Sequence, residues 1–310
     1  MQVQRKPWLA GLLSLVLPGL GHLYAGQPLV AGAAFLLSVT SWALVFAAPL
    51  FLPQPINILL ALLGLLVVLV GIPLHAARTA KAAPQTYVLQ PYNRWYLYLG
   101  LYCISSFLLT PWAYGYTKAR LVEAFRIPAA SMEPTMQVGD YLYVAKWDDA
   151  RTDLRRGTLV VFESVEEPGL KVVNRILGLA GDTLAMEAGT LYRNRQPVVE
   201  PYTIRLDPGR SEDPVQRARM QSWQSRYLAG PVADPYRPDL EHWGPVKVPA
   251  DSVFVLGDNR DASYDSRYYG FIPRSNVLGQ PKVVYFSYDS RTPAQFPSRV
   301  RWARLGQALQ

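Results

Sequence analysis

The chain has 310 residues, half of them hydrophobic, and a formal charge of +8. Charged residues make up only 17%, against about 25% in ordinary soluble domains, which strains an all-soluble reading and excludes intrinsic disorder. The single cysteine, Cys103, excludes an internal disulfide and the all-thiolate zinc sites.

Charge is divided unevenly along the chain. Residues 1–122 carry Arg5, Lys6, Arg78, Lys81, Arg94, Lys118 and Arg120 with no Asp or Glu, whereas 123–310 hold 24 basic and 23 acidic residues. A nucleic-acid binder concentrates basic side chains on its soluble part, where they displace counterions from phosphates. Here they flank apolar segments, so nucleic acid is excluded as a partner.

The first apolar segment, about 8–24, is short and interrupted by Pro18, Gly19 and Gly21. It reads as an interfacial or re-entrant piece, with His22 as an interfacial imidazole. Three further stretches, about 28–52, 56–74 and 95–114, contain no charged residue, and each is long enough to cross a bilayer, which takes about 20 residues. Arg5 and Lys6 mark the N-terminus as cytoplasmic, and Arg78, Lys81 and Arg94 do the same for the loop between the last two spans. Three crossings then put the chain from residue 115 onward outside the cytoplasm. The expected organisation is a multi-pass membrane anchor over 1–120 and an extracytoplasmic domain over 121–310.

From about Phe125 the sequence changes to short runs rich in Val, Ile, Tyr and Phe, broken by Gly, Pro and Asp. Tyr141–Ala145, Thr158–Phe162, Lys171–Leu177, Ser252–Leu256 and Lys282–Ser287 read as strands. Many short strands without helical periodicity predict a mainly antiparallel β domain. The polar, Pro- and Arg-rich section 187–249, with a helix-compatible piece at Pro214–Tyr227, reads as an inserted sub-domain. No ligand cluster suggests a metal or an organic cofactor.

Two clusters carry chemistry. Ser131 sits between prolines in Arg126-Ile127-Pro128-Ala129-Ala130-Ser131-Met132-Glu133-Pro134-Thr135-Met136, a fixed backbone setting that suits a nucleophile. Gly257-Asp258-Asn259-Arg260-Asp261-Ala262-Ser263-Tyr264-Asp265-Ser266-Arg267 follows an apolar strand and suggests a hydrogen-bonded polar network.

At these clusters the sequence resembles bacterial type I signal peptidases (leader peptidases), membrane-anchored serine endopeptidases that remove secretory signal peptides. Ser131 to Met136, Arg156 to Phe162, Asn174 to Asp182 and Gly257 to Pro273 follow the family's boxes in order, over about 120–290. The resemblance implies a signal-peptidase-like β fold and a Ser/Lys dyad, in which a desolvated lysine of lowered pKa takes the serine proton. It places Ser131 as nucleophile, Ser263 as the hydroxyl that orients the base, and Asp265 and Arg267 as the supporting ion pair. Asn174 occupies the general-base lysine position, and an amide has no basic nitrogen. Lys171 is the alternative base, although an offset of three along a strand points it to the opposite face. His242 is the remaining soluble-domain candidate. Ala129 stands where many members place an oxyanion-binding hydroxyl, leaving the Ser131 N–H for that role.

The resemblance also implies a shallow apolar wall for small substrate side chains, formed by Ile127, Pro128, Ala129, Met132, Met136, Val172 and Val173. The bound segment would add as a strand beside Lys171–Asn174 or Ile127–Ala129. The implied partners are signal peptides of exported precursors, the lipid bilayer and the export machinery. The implied location is the inner membrane, with the β domain on the periplasmic side. The alternative reading is a catalytically impaired relative that binds signal peptides or assists assembly.

Overall fold

The computed structural model describes residues 2–52, 56–84, 86–205, 213–231, 235–289 and 298–309. The chain forms two compact units, Met1–Thr117 and Lys118–Gln310.

The first unit is helical apart from two short strands, β1 (Gln2–Val3) and β2 (Tyr87–Val88), which pair antiparallel. The segment 8–24 becomes two short helices, α1 (Pro7–Val16) and α2 (Leu20–Tyr24). The chain folds back tightly between them. A Cβ on Gly21 would lie 2.0 Å from the Ala10 carbonyl oxygen, so only glycine admits this approach. α3 (Pro28–Phe51) follows, then α4 (Ile56–Leu66), which runs through a π-turn at Val67–Gly71 into α5 (Ile72–Ala82). α3 and the helix Ile56–Ala82 are long and apolar enough to cross a membrane.

The second of these helices outruns the apolar stretch that ends at Leu74. Its continuation through Ala76, Ala77, Ala80 and Ala82 reflects the helix propensity of alanine, not hydrophobicity. α6 (Trp95–Cys103), a π-turn at Ile104–Leu109, α7 (Thr110–Tyr116) and a further π-turn at Thr117–Leu121 make a third continuous helix. The turns at 67–71 and 104–109 immediately precede Pro73 and Pro111. Proline cannot donate to the helical ladder, and the ladder widens locally to accommodate that loss.

The second unit is built on a seven-stranded antiparallel sheet. Its strands are β3 (Val122–Arg126), β4 (Asp140–Ala145), β5 (Leu159–Glu163), β6 (Lys171–Leu179), β11 (Ser252–Leu256), β12 (Ile272–Pro273) and β13 (Val277–Ser287). They lie in the order β12-β11-β6-β5-β13-β4-β3. Three strands separate β3 from β6, yet Glu123 on β3 accepts a hydrogen bond from Lys171 on β6 at 2.9 Å. The sheet therefore curls until these strands face each other. Ile127, Met132, Met136, Leu142, Leu159, Val284 and Leu309 fill the inside. The five strands read from sequence are all present, whereas β3 begins at Val122, before the change of composition.

The inserted section forms a second sheet of order β10-β7-β8-β9, made of β7 (Thr183–Glu187), β8 (Thr190–Arg193), β9 (Gln196–Pro197) and β10 (Trp243–Lys247). It starts a few residues before 187, because the Gly181-Asp182 turn folds the chain directly from β6 into β7. Residues 206–212 and 232–234 of the expected insertion lie outside the described residues. The predicted helix appears at Pro214–Gln224 and is capped by Asp213, whose carboxylate accepts from the Val215 N–H.

Candidate active site

The Ser131 loop leaves β3 and returns at β4. Its ends are tied by Ile127 N–H donating to the Asp140 carbonyl at 2.8 Å and Gly139 N–H to the Ile127 carbonyl at 2.9 Å. The Asp140 carboxylate, fully buried, accepts from Gln137 N–H (2.8 Å), Ser287 Oγ (2.7 Å) and Arg304 Nε (3.0 Å). Met132 and Met136 turn into the sheet interior, which leaves Ser131 half-buried at its rim.

The second cluster docks on this loop. Asn259 N–H donates to the Ser131 carbonyl at 3.0 Å and Asn259 Nδ2 to the Ala130 carbonyl at 3.2 Å. Thr135 Oγ1 donates to Asp258 Oδ2 at 2.5 Å.

Strand register brings Asn174 to the same place. Leu256 on β11 lies opposite Arg175 on β6, so the next step sets Gly257 opposite Asn174, and directly opposed residues share a face. A Cβ on Gly257 would fall 2.2 Å from Ser263 Oγ and 2.6 Å from the Ser131 carbonyl oxygen. Glycine is required there, and the face that it shares with Asn174 is the one carrying Ser131 and Ser263.

Asn174 is 1% exposed, and its Nδ2 donates to Tyr269 Oη at 3.1 Å. Its Oδ1, Ser263 Oγ and Asn259 Oδ1 are buried without a hydrogen-bond partner. Three unpaired oxygens around one strand end form a donor-deficient site.

Tyr269 was not singled out in the sequence, though it is the second residue after Arg267 in the same box. It lies on the short helix Ser266–Tyr269, which is capped by the Asp265 carboxylate. Burial, then the Asp265 charge, push its phenol well above the ordinary value, only partly offset by the Asn174 amide and Arg267. Tyr269 is thus a neutral hydroxyl at physiological pH and no proton acceptor.

Charges around the site are paired. Asp265 (0% exposed) and Arg267 (1% exposed) meet at 2.8 Å, and Asp265 Oδ2 also accepts the Gly257 N–H at 3.1 Å. Arg267 Nη2 donates to the Arg260 carbonyl (2.7 Å) and the Ser263 carbonyl (3.3 Å). Arg175 grips Asp258 through Nε (2.9 Å) and Nη2 (2.8 Å), with its guanidinium 3.9 Å from the Tyr202 ring centroid. Arg260 pairs with Glu200. The Arg175–Asp258 pair has only a generic sequence signal, a charged residue in a strand followed 83 residues later by an aspartate.

The remaining sequence candidates divide. Lys171 Nζ is held by Glu123 Oε1 at 2.9 Å, over the Phe125 ring at 5.1 Å. β5 and β6 pair without a bulge from Glu163–Lys171 to Leu159–Arg175, so alternation turns Lys171 away from the Asn174 face. His242 is exposed, its Nδ1 3.4 Å from Asp239. Ile127, Met132, Met136 and Val173 pack into one cluster. Pro128 and Ala129 are exposed beside it. Val172 packs on the opposite cluster with Val160, Phe162 and Tyr269, as its neighbour Val173 requires.

Chemically, the site offers a hydroxyl at Ser131, a second, unpaired hydroxyl at Ser263, and the Asn174 amide bonded to Tyr269. Among the described residues, no lysine or histidine side chain is hydrogen-bonded to Asn174, Ser263 or Tyr269.

Residues 101–286 match the profile of the signal peptidase, peptidase S26, family. The chain is 34% identical over 201 residues to a protein of Synechocystis described as probable signal peptidase I-2, covering 63% of this chain and 75% of that one. It is 35% identical over 173 residues to signal peptidase I of Leptolyngbya laminosa, covering 54% and 70% respectively. The corresponding figures for signal peptidase I of Pseudomonas aeruginosa are 31% over 211 residues, 60% and 71%. With a match over more than half of its length, the chain belongs to the signal peptidase, peptidase S26, family.

Proposed function

We propose that the protein is a membrane-bound serine endopeptidase that removes signal peptides from exported precursors. Ser131 is the nucleophile, Ser263 the orienting hydroxyl, Asp265 and Arg267 the supporting pair, and Asn174 stands at the position of the base. The observation that carries this reading is the seating of the Ser131 loop on Gly257 and Asn259, with the Ser263 hydroxyl buried and unspent beside it. A buried hydroxyl without a partner costs stability and is retained where chemistry uses it.

The precursor end adds as a strand along Lys171–Asn174, whose edge away from β5 extends beyond the last β11 pairing at Arg175. Small side chains sit against Ile127, Pro128, Ala129, Met132, Met136 and Val173; Val172 supports the wall from behind. In this reading, residues 1–120 anchor the chain in the inner membrane by three crossings. The β unit lies on the periplasmic side, where precursors emerge from the export machinery through the bilayer.

A second reading is favoured by one observation, the Asn174–Tyr269 hydrogen bond at the base position. Neither partner accepts a proton at neutral pH, which suits a protein that holds signal peptides without cutting them. Incubating an Ala-x-Ala precursor with the purified full chain and with its Ser131→Ala variant separates the two. Cleavage lost in the variant supports the peptidase. Equal, background turnover in both, with precursor still bound, installs the binder.

A further inference from the structure

The helical unit contains a polar construction that peptide-bond cleavage does not use. Arg5, between β1 and α1, is only 7% exposed. Its guanidinium lies between two aromatic rings, 4.4 Å from the Tyr24 centroid and 4.2 Å from the Tyr87 centroid. Those rings are themselves fixed. Tyr24 Oη accepts the Lys6 N–H at 3.0 Å, and Tyr87 Oη donates to Asn93 Oδ1 at 3.1 Å. Asn93 Nδ2 in turn donates to the Leu23 carbonyl (3.0 Å) and to Tyr98 Oη (3.1 Å). The β1–β2 pairing holds the N-terminal segment against Tyr87.

Within this clamp Arg5 Nε and Nη2 are buried and have no hydrogen-bond partner. Those two nitrogens form one edge of the guanidinium, the fork that receives two oxygens of one anion in parallel. A buried cation with unpaired donors demands a counter-charge. The unit cannot supply one, since residues 1–117 contain five Lys and Arg and no Asp or Glu. Ring faces attract the cation but offer no oxygen to its in-plane donors.

We infer that Arg5, clamped by Tyr24 and Tyr87, is a binding site for a phosphate-type oxyanion that comes from outside the chain. The anion's two oxygens take the Nε–H and Nη2–H. Further positive charge follows directly in sequence at Lys6. The same chemistry has two sources, the phosphodiester of an anionic lipid headgroup and free phosphate. The first rests on the membrane reading above, while the site itself does not.

The test uses the full chain purified in a neutral detergent. Native mass spectrometry follows retention of phosphatidylglycerol against phosphatidylcholine, and thermal unfolding follows added inorganic phosphate. Arg5→Gln removes the cation, Arg5→Lys keeps the charge but not the fork, and Arg78→Gln removes one charge elsewhere. A lipid site predicts one retained phosphatidylglycerol per chain, weakened at least tenfold by both Arg5 variants and less than twofold by Arg78→Gln. A free-phosphate site predicts a rise in melting temperature with phosphate that both Arg5 variants abolish, and no preference for phosphatidylglycerol. Binding unchanged in the Arg5 variants, equally lost in Arg78→Gln, or absent for both probes in the unsubstituted chain overturns the inference. Should Arg5→Gln fail to fold, Arg5→Lys alone decides, because unchanged binding there excludes recognition by the fork.

Discussion

Replacing Asn174 with lysine is expected to raise the rate of precursor cleavage by about a thousandfold or more. Removing the base from a hydroxyl-nucleophile unit costs on the order of 10⁴–10⁶ in turnover, so restoring it with imperfect geometry recovers a large part of that factor. A thousandfold corresponds to about 4 kcal/mol of barrier. The position suits the new group. Asn174 is 1% exposed, so an ammonium there is desolvated and its pKa falls towards neutrality. Ser263 Oγ and Asn259 Oδ1 lack donors, and an ammonium supplies three. The substitution sacrifices the bond to Tyr269, a loss of about 1 kcal/mol that the fold can absorb. The assay is single-turnover cleavage of an Ala-x-Ala precursor across pH, where the variant's rate climbs as the new amine loses its proton. A folded variant whose rate stays within tenfold of the unsubstituted protein at every pH refutes the claim that the base is the missing part.

Gly257→Ala is expected to abolish cleavage, or precursor binding in the second reading, while the helical unit stays folded. Its Cβ would meet the Ser131 carbonyl oxygen at 2.6 Å, and limited proteolysis should show a displaced Ser131 loop. Burial pushes the Glu123 carboxyl up, but hydrogen bonds from Lys171 and Lys146 outweigh it and hold it below the usual range. A depressed carboxyl stabilises the fold fully above its unfolded pKa of about 4.3, and that contribution is lost as pH falls through the folded value. The melting-temperature gap between the unsubstituted protein and Glu123→Gln should therefore be full near pH 7 and shrink below about pH 4; a gap that grows on acidification contradicts the assignment. Ser263→Ala should leave stability unchanged or raise it by up to about 1 kcal/mol, because it removes a buried hydroxyl without a partner, yet lower cleavage at least tenfold. A clear loss of stability would mean that the hydroxyl is structural.

The helices and the central strands were legible because their signals are local. Uncharged runs announce α3 and the helix from Ile56, and short apolar runs of Val, Leu and Phe announce β5 and β11. The curl of the sheet was not, since it depends on Glu123 reaching Lys171 across strands that are not neighbours in the sheet. β3 escaped because Val122–Arg126 contains Glu123 and Arg126 and is defined by pairing with β4, not by its own composition. At the site, Ser131, Ser263, Asp265 and Arg267 stood out through the boxes that contain them. Tyr269 did not, because an aromatic residue in a β domain ordinarily reads as core, and only the register that sets Asn174 on its face turns its hydroxyl into a partner. Strand parity alone sets Lys171 and Asn174 on opposite faces of β6, a consequence of the two-residue repeat.

The groups around Ser131 do not weigh equally in deciding between peptidase and binder. Asp265, Arg267, Asp258 and Arg175 are almost wholly buried, and stripping one buried charge of its partner costs about 3–5 kcal/mol. The fold demands these pairs whether or not a bond is ever cut, so their presence is no argument for chemistry. Gly257 is likewise required by the close approach of the Ser131 loop. The Ser263 hydroxyl is different. It pairs with nothing, its removal should relieve a penalty, and its one evident use is to face whatever takes the proton from Ser131. An oxygen that the packing would rather lose is the strongest sign at this site that packing is not what keeps it.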